Sequence, residues 1–342
     1  MSPRAHRQHG FSLIELLIGS TLGLILLAAI VSIYLGAKQT YDIQDRLAHM
    51  QENARLAVRL ITRDVRMAGY LGDVVQPWKI GESTDQPLGK LKSECYTGWV
   101  RSAVLPGDGI AAPTLTGADS SPGLFSGCIS ASEHSKGTDI LAVYSADANP
   151  LADSAIEKGK AYLRSTLSGG LIFKAIANKS LPKDFSATGT PHTFRLSAVA
   201  YYLRPWSTNA PTRSLPEGDG IPTLMRATLG DCGTAACIKS EALVEGIANL
   251  QIQYGVADAA GNGTLRYMNA EQLGDFTGLP GKPVWQRVHS LRIALLARSL
   301  TAEAGYTDGN APYTLADQTV TVSAGFRHLL IDSTVALRNR GT

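Results

Sequence analysis

"GFSLIELLIGSTLGLILLAAIVSIYLGA", residues 10–37, decides how the rest of the chain is read. Between Phe11 and Ala37 one charged side chain interrupts an apolar run, and it is Glu15. As a helix the run spans roughly 40 Å at about 1.5 Å per residue, more than the ~30 Å of a bilayer core. It is also longer than the roughly 7–15 residues of a secretory signal's apolar region. "LGA" at 35–37 is a poor cleavage site, so the segment is expected to stay in the mature chain. Arg4 and Arg7, with His6 and His9 and no acid, precede it. Positive charge holds that end in the cytoplasm and sends the remainder across the membrane.

Glu15 is the anomaly. An acid at the centre of a membrane helix costs about 2.5–3.5 kcal/mol, and less near an end. One explanation is that the carboxylate snorkels to the headgroups. The other is a cationic partner inside the membrane. A new N-terminus at Phe11 would supply such a partner, an α-amine at the positive end of a helix dipole.

Gly10-Phe11-Ser12-Leu13-Ile14-Glu15, after a short basic leader, resembles the type III leader site of type IV pilins and type II secretion pseudopilins. The resemblance implies cleavage between Gly10 and Phe11 by a prepilin peptidase and N-methylation of Phe11. It further implies that Glu15 pairs with the N-terminal amine of a neighbouring subunit as the helix leaves the bilayer for a filament. Many major pilins carry a proline within this helix, whereas no proline occurs here between Phe11 and Tyr70. Gly19, Gly23 and Gly36 are the weak points, each costing about 1 kcal/mol against alanine.

The helix is expected to continue past the membrane. In residues 38–68, Leu47, Met50, Ala54, Ala57, Ile61, Val65 and Ala68 recur at 3–4 spacing, with Asp45, Glu52, Arg55, Arg59, Arg63 and Arg66 mostly elsewhere. That is an amphipathic helix packed on a domain; the repeat is too short to favour a coiled coil. Gly69 and Leu71-Gly72 give the stop.

From residue 70 the pattern changes to strands and loops. The best strand candidates are 138–146, 194–204, 243–256, 288–298 and 328–339, with Leu243 to Gly246 readable as a helical turn before a strand at Leu250–Tyr254. Leu291, Ile293, Leu295 and Ala297 alternate with Arg292 and Arg298. Gly/Pro/Ser/Thr-rich stretches at 84–90, 105–127, 205–224, 258–282 and 301–314 read as turns and loops. No internal repeat is visible.

"LVEGIANLQIQYGV", "WQRVHSLRIALLAR" and "STVALRNR" are similar to the PilW family of type IV pilus minor pilins. The fold expected is α+β: a long N-terminal helix, transmembrane then amphipathic, packed on an antiparallel β-sheet domain with long loops. Residues 1–10 are the expected leader, 11–69 the helix (11–37 transmembrane, 38–69 amphipathic) and 70–342 a globular periplasmic domain.

Apolar residues make up 44% and charged residues 18% of the 342, which supports a core and argues against disorder. A net charge of +3 with scattered Lys and Arg shows no basic stripe and gives no reason to expect nucleic acid. Cys95, Cys128, Cys232 and Cys237 all follow the apolar segment. Outside the cytoplasm an even number of cysteines favours disulfides. The short loop Cys232–Cys237 permits closure, and the pairing 95–128 with 232–237 is one of three possibilities. A zinc site fits less well, because C-x4-C is loose and no histidine lies near that loop. A C-x-x-C redox motif is absent.

None of His6, His9, His49, His134, His192, His289 and His328 forms a helical ligand pair. Asp258 to Gly263 hints at a calcium loop but offers too few oxygens, and a β-turn explains it better. Tyr201-Tyr202, in an alternating strand, should turn one ring outward. No nucleophile elbow or phosphate-binding loop appears.

The expectation is therefore a minor pilin with no enzymatic activity, no cofactor and no small-molecule substrate. Its partners would be other minor pilins and pilus subunits, the prepilin peptidase and the inner membrane. It would take part in starting pilus assembly and in the tip complex. A J-type pseudopilin, a tip adhesin or a DNA-binding module are the alternatives.

Overall fold

The computed structural model describes residues 12–75, 79–88, 114–231, 236–257, 265–274 and 284–339. The chain divides into two units between His49 and Met50. One continuous helix, α1 (Leu13–Met67), belongs to both. With no proline to remove a backbone donor it runs uninterrupted, through Gly19, Gly23 and Gly36 alike.

In the first unit every side chain from Ser12 to Asp42 is exposed. The most apolar part of the helix buries nothing, and the helix is long and apolar enough to cross a membrane. The hydroxyls of Ser20, Thr21 and Thr40 donate to carbonyls three or four residues back, at 2.9–3.0 Å. Hydrocarbon provides no other partner for them, so this closure suits a bilayer.

The second unit carries the strands β1 (Ile80–Glu82), β2 (Leu115–Ala118), β3 (Ile140–Ala146), β4 (Ala161–Thr166), β5 (Gly169–Lys174), β6 (His192–Arg204), β7 (Thr223–Asp231), β8 (Ala236–Glu245), β9 (Ile247–Ala257), β10 (Leu265–Met268), β11 (Val288–Arg298), β12 (Tyr313–Leu315), β13 (Gln318–Val320) and β14 (His328–Ala336). A short helix, α2 (Ala270–Leu273), follows β10 and is closed by an Asn269–Gln272 capping box. Eight strands form one sheet, with path β1-β5-β4-β6-β3-β2 and with β7 joining β6 to β8. A second sheet runs β10-β9-β11-β14, and β12–β13 is a separate hairpin. The pairings are antiparallel except β1–β5. This is the α+β arrangement expected.

β6 organises the larger sheet, pairing with β4 over its first half and with β3 and β7 over its second. One of its faces gives Phe194, Leu196, Ala198, Ala200 and Tyr202 to a core shared with Ile140, Ala142, Tyr144, Phe125 and Ile129. Its other face meets α1. The Tyr201-Tyr202 expectation is thereby corrected: both rings are buried, because β6 is covered on both sides.

The two sheets are stitched at the start of β3. Asp139 N–H donates to Leu250 O at 2.9 Å, and the Asp139 carboxyl oxygen Oδ2 accepts from Ile252 N–H at 2.7 Å. Gln251 Nε2 donates to Gly137 O at 2.8 Å. Tyr254 packs edge-on to Trp285, ring centroids 4.9 Å apart. β2 crosses so close that a Cβ on Gly117 would lie 1.9 Å from the Tyr254 hydroxyl.

Several loop expectations change. β2 lies within 105–127, β10 and α2 lie within 258–282, and β7 begins inside 205–224. Leu243–Gly246 is not a helical turn. β8 runs to Glu245, Gly246 turns at φ +77°, and β9 starts at Ile247. A Cβ at Gly246 would sit 2.9 Å from Arg298 O, so glycine lets the two strands join without a loop.

Candidate functional site: the N-terminal helix and its seat

Gly10 and Phe11, the expected cleavage and methylation residues, lie outside the described residues. Glu15 is described, in the first turn of α1. Its Oε2 accepts a hydrogen bond from Ser12 N–H at 3.0 Å. A carboxylate there satisfies a backbone donor that the helix leaves open and complements the dipole. One donor does not saturate a carboxylate, which takes several, so Glu15 keeps capacity for a cation. Its neighbours Leu13, Ile14, Leu16 and Leu17 are all more than half exposed. The acid therefore stands in an apolar surface with no other chemistry around it.

The second half of α1 is seated by small side chains. Met50, Ala54, Ala57, Ile61, Val65 and Ala68 are buried, and all but Met50 have no exposed surface at all. Alanine at 54 and 57 lets the helix axis approach the strands closely. Polar ties fix the register. Asn53 Nδ2 donates to Glu245 O at 3.1 Å. Tyr201 Oη donates to Asp64 Oδ2 at 2.6 Å and to Leu60 O at 3.3 Å. Asn339 Nδ2 donates to Arg66 O at 3.3 Å. Burial, then the Asp64 carboxylate, push the Tyr201 phenol above its ordinary range.

Gly69 ends the helix as expected. It adopts φ +78°, and its N–H donates to Tyr144 O at 3.0 Å. A Cβ there would lie 2.8 Å from Asn339 O. The helix thus ends against β3 and against the segment following β14.

Cys128 is half-buried against the main core, and no cysteine among the described residues is free. Cys95 and Cys232 lie outside the described residues, as does the side chain of Cys237. The register Gly230–Cys237 and Asp231–Ala236 makes the two ends of the segment carrying Cys232 neighbours.

Among the described residues no group of three or more His, Cys, Asp or Glu could hold a metal. The possible calcium loop at 258–263 lies outside them. Histidines form pairs instead: His192 with Asp73 at 2.6 Å and His328 with Asp308 at 3.0 Å. The second pair is nearly inaccessible, and Tyr313 Oη also donates to Asp308 at 3.0 Å. Burial opposes the charge on Asp308, but the Asn310 N–H and the His328 and Tyr313 bonds hold its carboxyl below the usual range. This cluster fastens the β12–β13 hairpin to β14. Sequence reading missed it because the three residues come from separate segments.

A long unburied apolar helix with a capped acid at its start, running into an antiparallel sheet domain, defines the chain as pilin-like. Residues 5–31 match the prokaryotic N-terminal methylation motif, and residues 201–339 match PilW, the type IV pilus-assembly protein W. The chain is PilW-like, a type IV pilus-related pilin-like protein. Neither a curated protein nor a solved structure matches it.

Proposed function

We propose that the chain is a minor pilin of a type IV pilus, a structural subunit that takes part in starting assembly and in the tip complex. The observation that carries this reading is the coincidence, on one helix, of an N-terminal methylation motif with an unburied apolar stretch. Prepilin peptidase hydrolyses the Gly10–Phe11 bond and methylates the new amine. Before assembly the helix anchors the chain in the inner membrane, with residues 70–342 in the periplasm, an orientation supported by Arg4 and Arg7. In the filament, Glu15 accepts the cationic N-terminus of a neighbouring subunit. Its Ser12 bond offsets only part of the cost of an acid in lipid, so pairing with an amine favours leaving the bilayer.

The periplasm is oxidising, and we assign the disulfides Cys95–Cys128 and Cys232–Cys237. The β7–β8 register and the engaged thiol of Cys128 support this pairing. The match over 201–339 favours a pilus subunit over a J-type pseudopilin of secretion. The test is Glu15→Ala in a piliated cell. Leader cleavage should persist while recovery of the chain in sheared pili falls. Unchanged recovery would refute the docking role.

A further inference from the structure

A groove of about 680 Å³ runs between α1 and β14. Arg55, Arg59, Arg63 and Arg66 line it, and all four are exposed. Their spacing places them along one stripe of the helix. Between them Val58, Met67 and Ile331 form a half-buried apolar floor. Arg63 meets a carboxylate, that of its neighbour Asp64 at 3.1 Å, but Tyr201 already occupies the same acid. Arg55, Arg59 and Arg66 have no ion pair among the described residues. Four like charges along one helix face repel one another, and only Arg63 has a carboxylate partner among the described residues.

The other wall is a sheet edge. Among the described residues β14 ends the four-stranded sheet and pairs only with β11. That pairing runs through nine consecutive residue pairs without a bulge, from Ser290–Ala336 to Arg298–His328. The strand contains no proline and no lysine. Bulges, prolines and lysines are among the means by which an edge is kept from pairing further, and β14 lacks them. Its one acid, the exposed Asp332, alternates with Ile331 and Ser333, which line the groove, and so belongs to the opposite face of the strand.

We propose that the groove seats an extended acidic segment of a different protein, added to β14 as a fifth strand with alternate carboxylates turned toward the arginine row. The open edge supplies backbone partners, and the arginines select the side chains. A second copy of this chain is disfavoured, because edge-to-edge pairing would bring two arginine rows together. Nucleic acid is disfavoured by the apolar floor. The proposal rests on the filament reading only for where the partner is met.

The test places a photo-crosslinking amino acid at Ser333, which lines the groove, in the full-length chain in piliated cells. The expected result is a crosslink mapped to an Asp/Glu-rich stretch of one other protein. Its yield should fall at least tenfold in R59E/R63E and persist in R59K/R63K. The proposal is overturned by a crosslink that survives charge reversal, by one to a second copy of this chain or to nucleic acid, or by none. The N-terminal mass of the chain in the same sample reports separately on the filament reading.

Discussion

Tyr201 Oη donates to Asp64 Oδ2 at 2.6 Å, joining the central strand of the larger sheet to the last turns of the long helix. The bond sits beneath a helix face of alanines and β-branched residues, and Arg63 holds the other oxygen of the same carboxylate at 3.1 Å. Tyr201→Phe keeps the ring packing and removes the hydroxyl. A hydrogen bond to a charged group contributes about 1.5–3 kcal/mol, and we expect a loss of that size in urea unfolding of the detergent-solubilised chain. A loss below about 0.5 kcal/mol would show that water replaces the hydroxyl.

Gly69 is required by conformation and by space. Alanine there would have to hold φ +78° and place a methyl 2.8 Å from Asn339 O. We expect Gly69→Ala to destabilise the chain by about 1–3 kcal/mol and to raise protease cleavage around residue 69. Gly137, also at positive φ but with open space around it, is the control, and its alanine variant should lose less.

The helix seat tolerates little added volume. Ala57 has no exposed surface, and Ala57→Leu should cost about 1–3 kcal/mol by forcing the helix off the strands. Leu56, which is partly exposed, should accept alanine with a smaller change. Thermal unfolding of the two variants separates packing from helix propensity.

Asp139 makes stability depend on pH. Burial pushes its carboxyl from 3.8 up to about 8; the Ile252 N–H bond opposes this and the Asp119 charge adds to it. The folded chain therefore keeps a proton that the unfolded chain releases between these values. The contribution is fully present below about pH 4 and is lost as pH rises toward 8, with a limiting slope of about 1.4 kcal/mol per pH unit. Asp139→Asn should flatten that decline in chemical denaturation at pH 5, 6.5 and 8. An unchanged slope would place the titrating group elsewhere.

The helix was legible almost to the residue, because one apolar run and one 3–4 repeat speak for themselves and Gly69 is a strong stop. The long strands β3, β6, β9, β11 and β14 were also legible from β-branched and aromatic runs. β4 and β5 were not, since Ser165, Thr166, Gly169 and Gly170 blur the alternation and their burial comes from neighbours on both faces. β8 was misread near its end because its join to β9 depends on one glycine conformation, and local composition there resembles a helix start. Glu15 stood out because a charge in an apolar run is rare. The arginine groove was hidden for the opposite reason. Arg55, Arg59, Arg63 and Arg66 read as an ordinary solvated helix face until β14 supplies the second wall. The Asp308–Tyr313–His328 cluster likewise exists only once the hairpin folds back.

The most direct measurement is the intact mass of the chain extracted from membranes and from sheared pili of the same cells. The account predicts a chain beginning at methylated Phe11 in both, with two disulfides revealed by the mass change on reduction. A chain that retains Met1 to Gly10 in cells bearing working pili would contradict it.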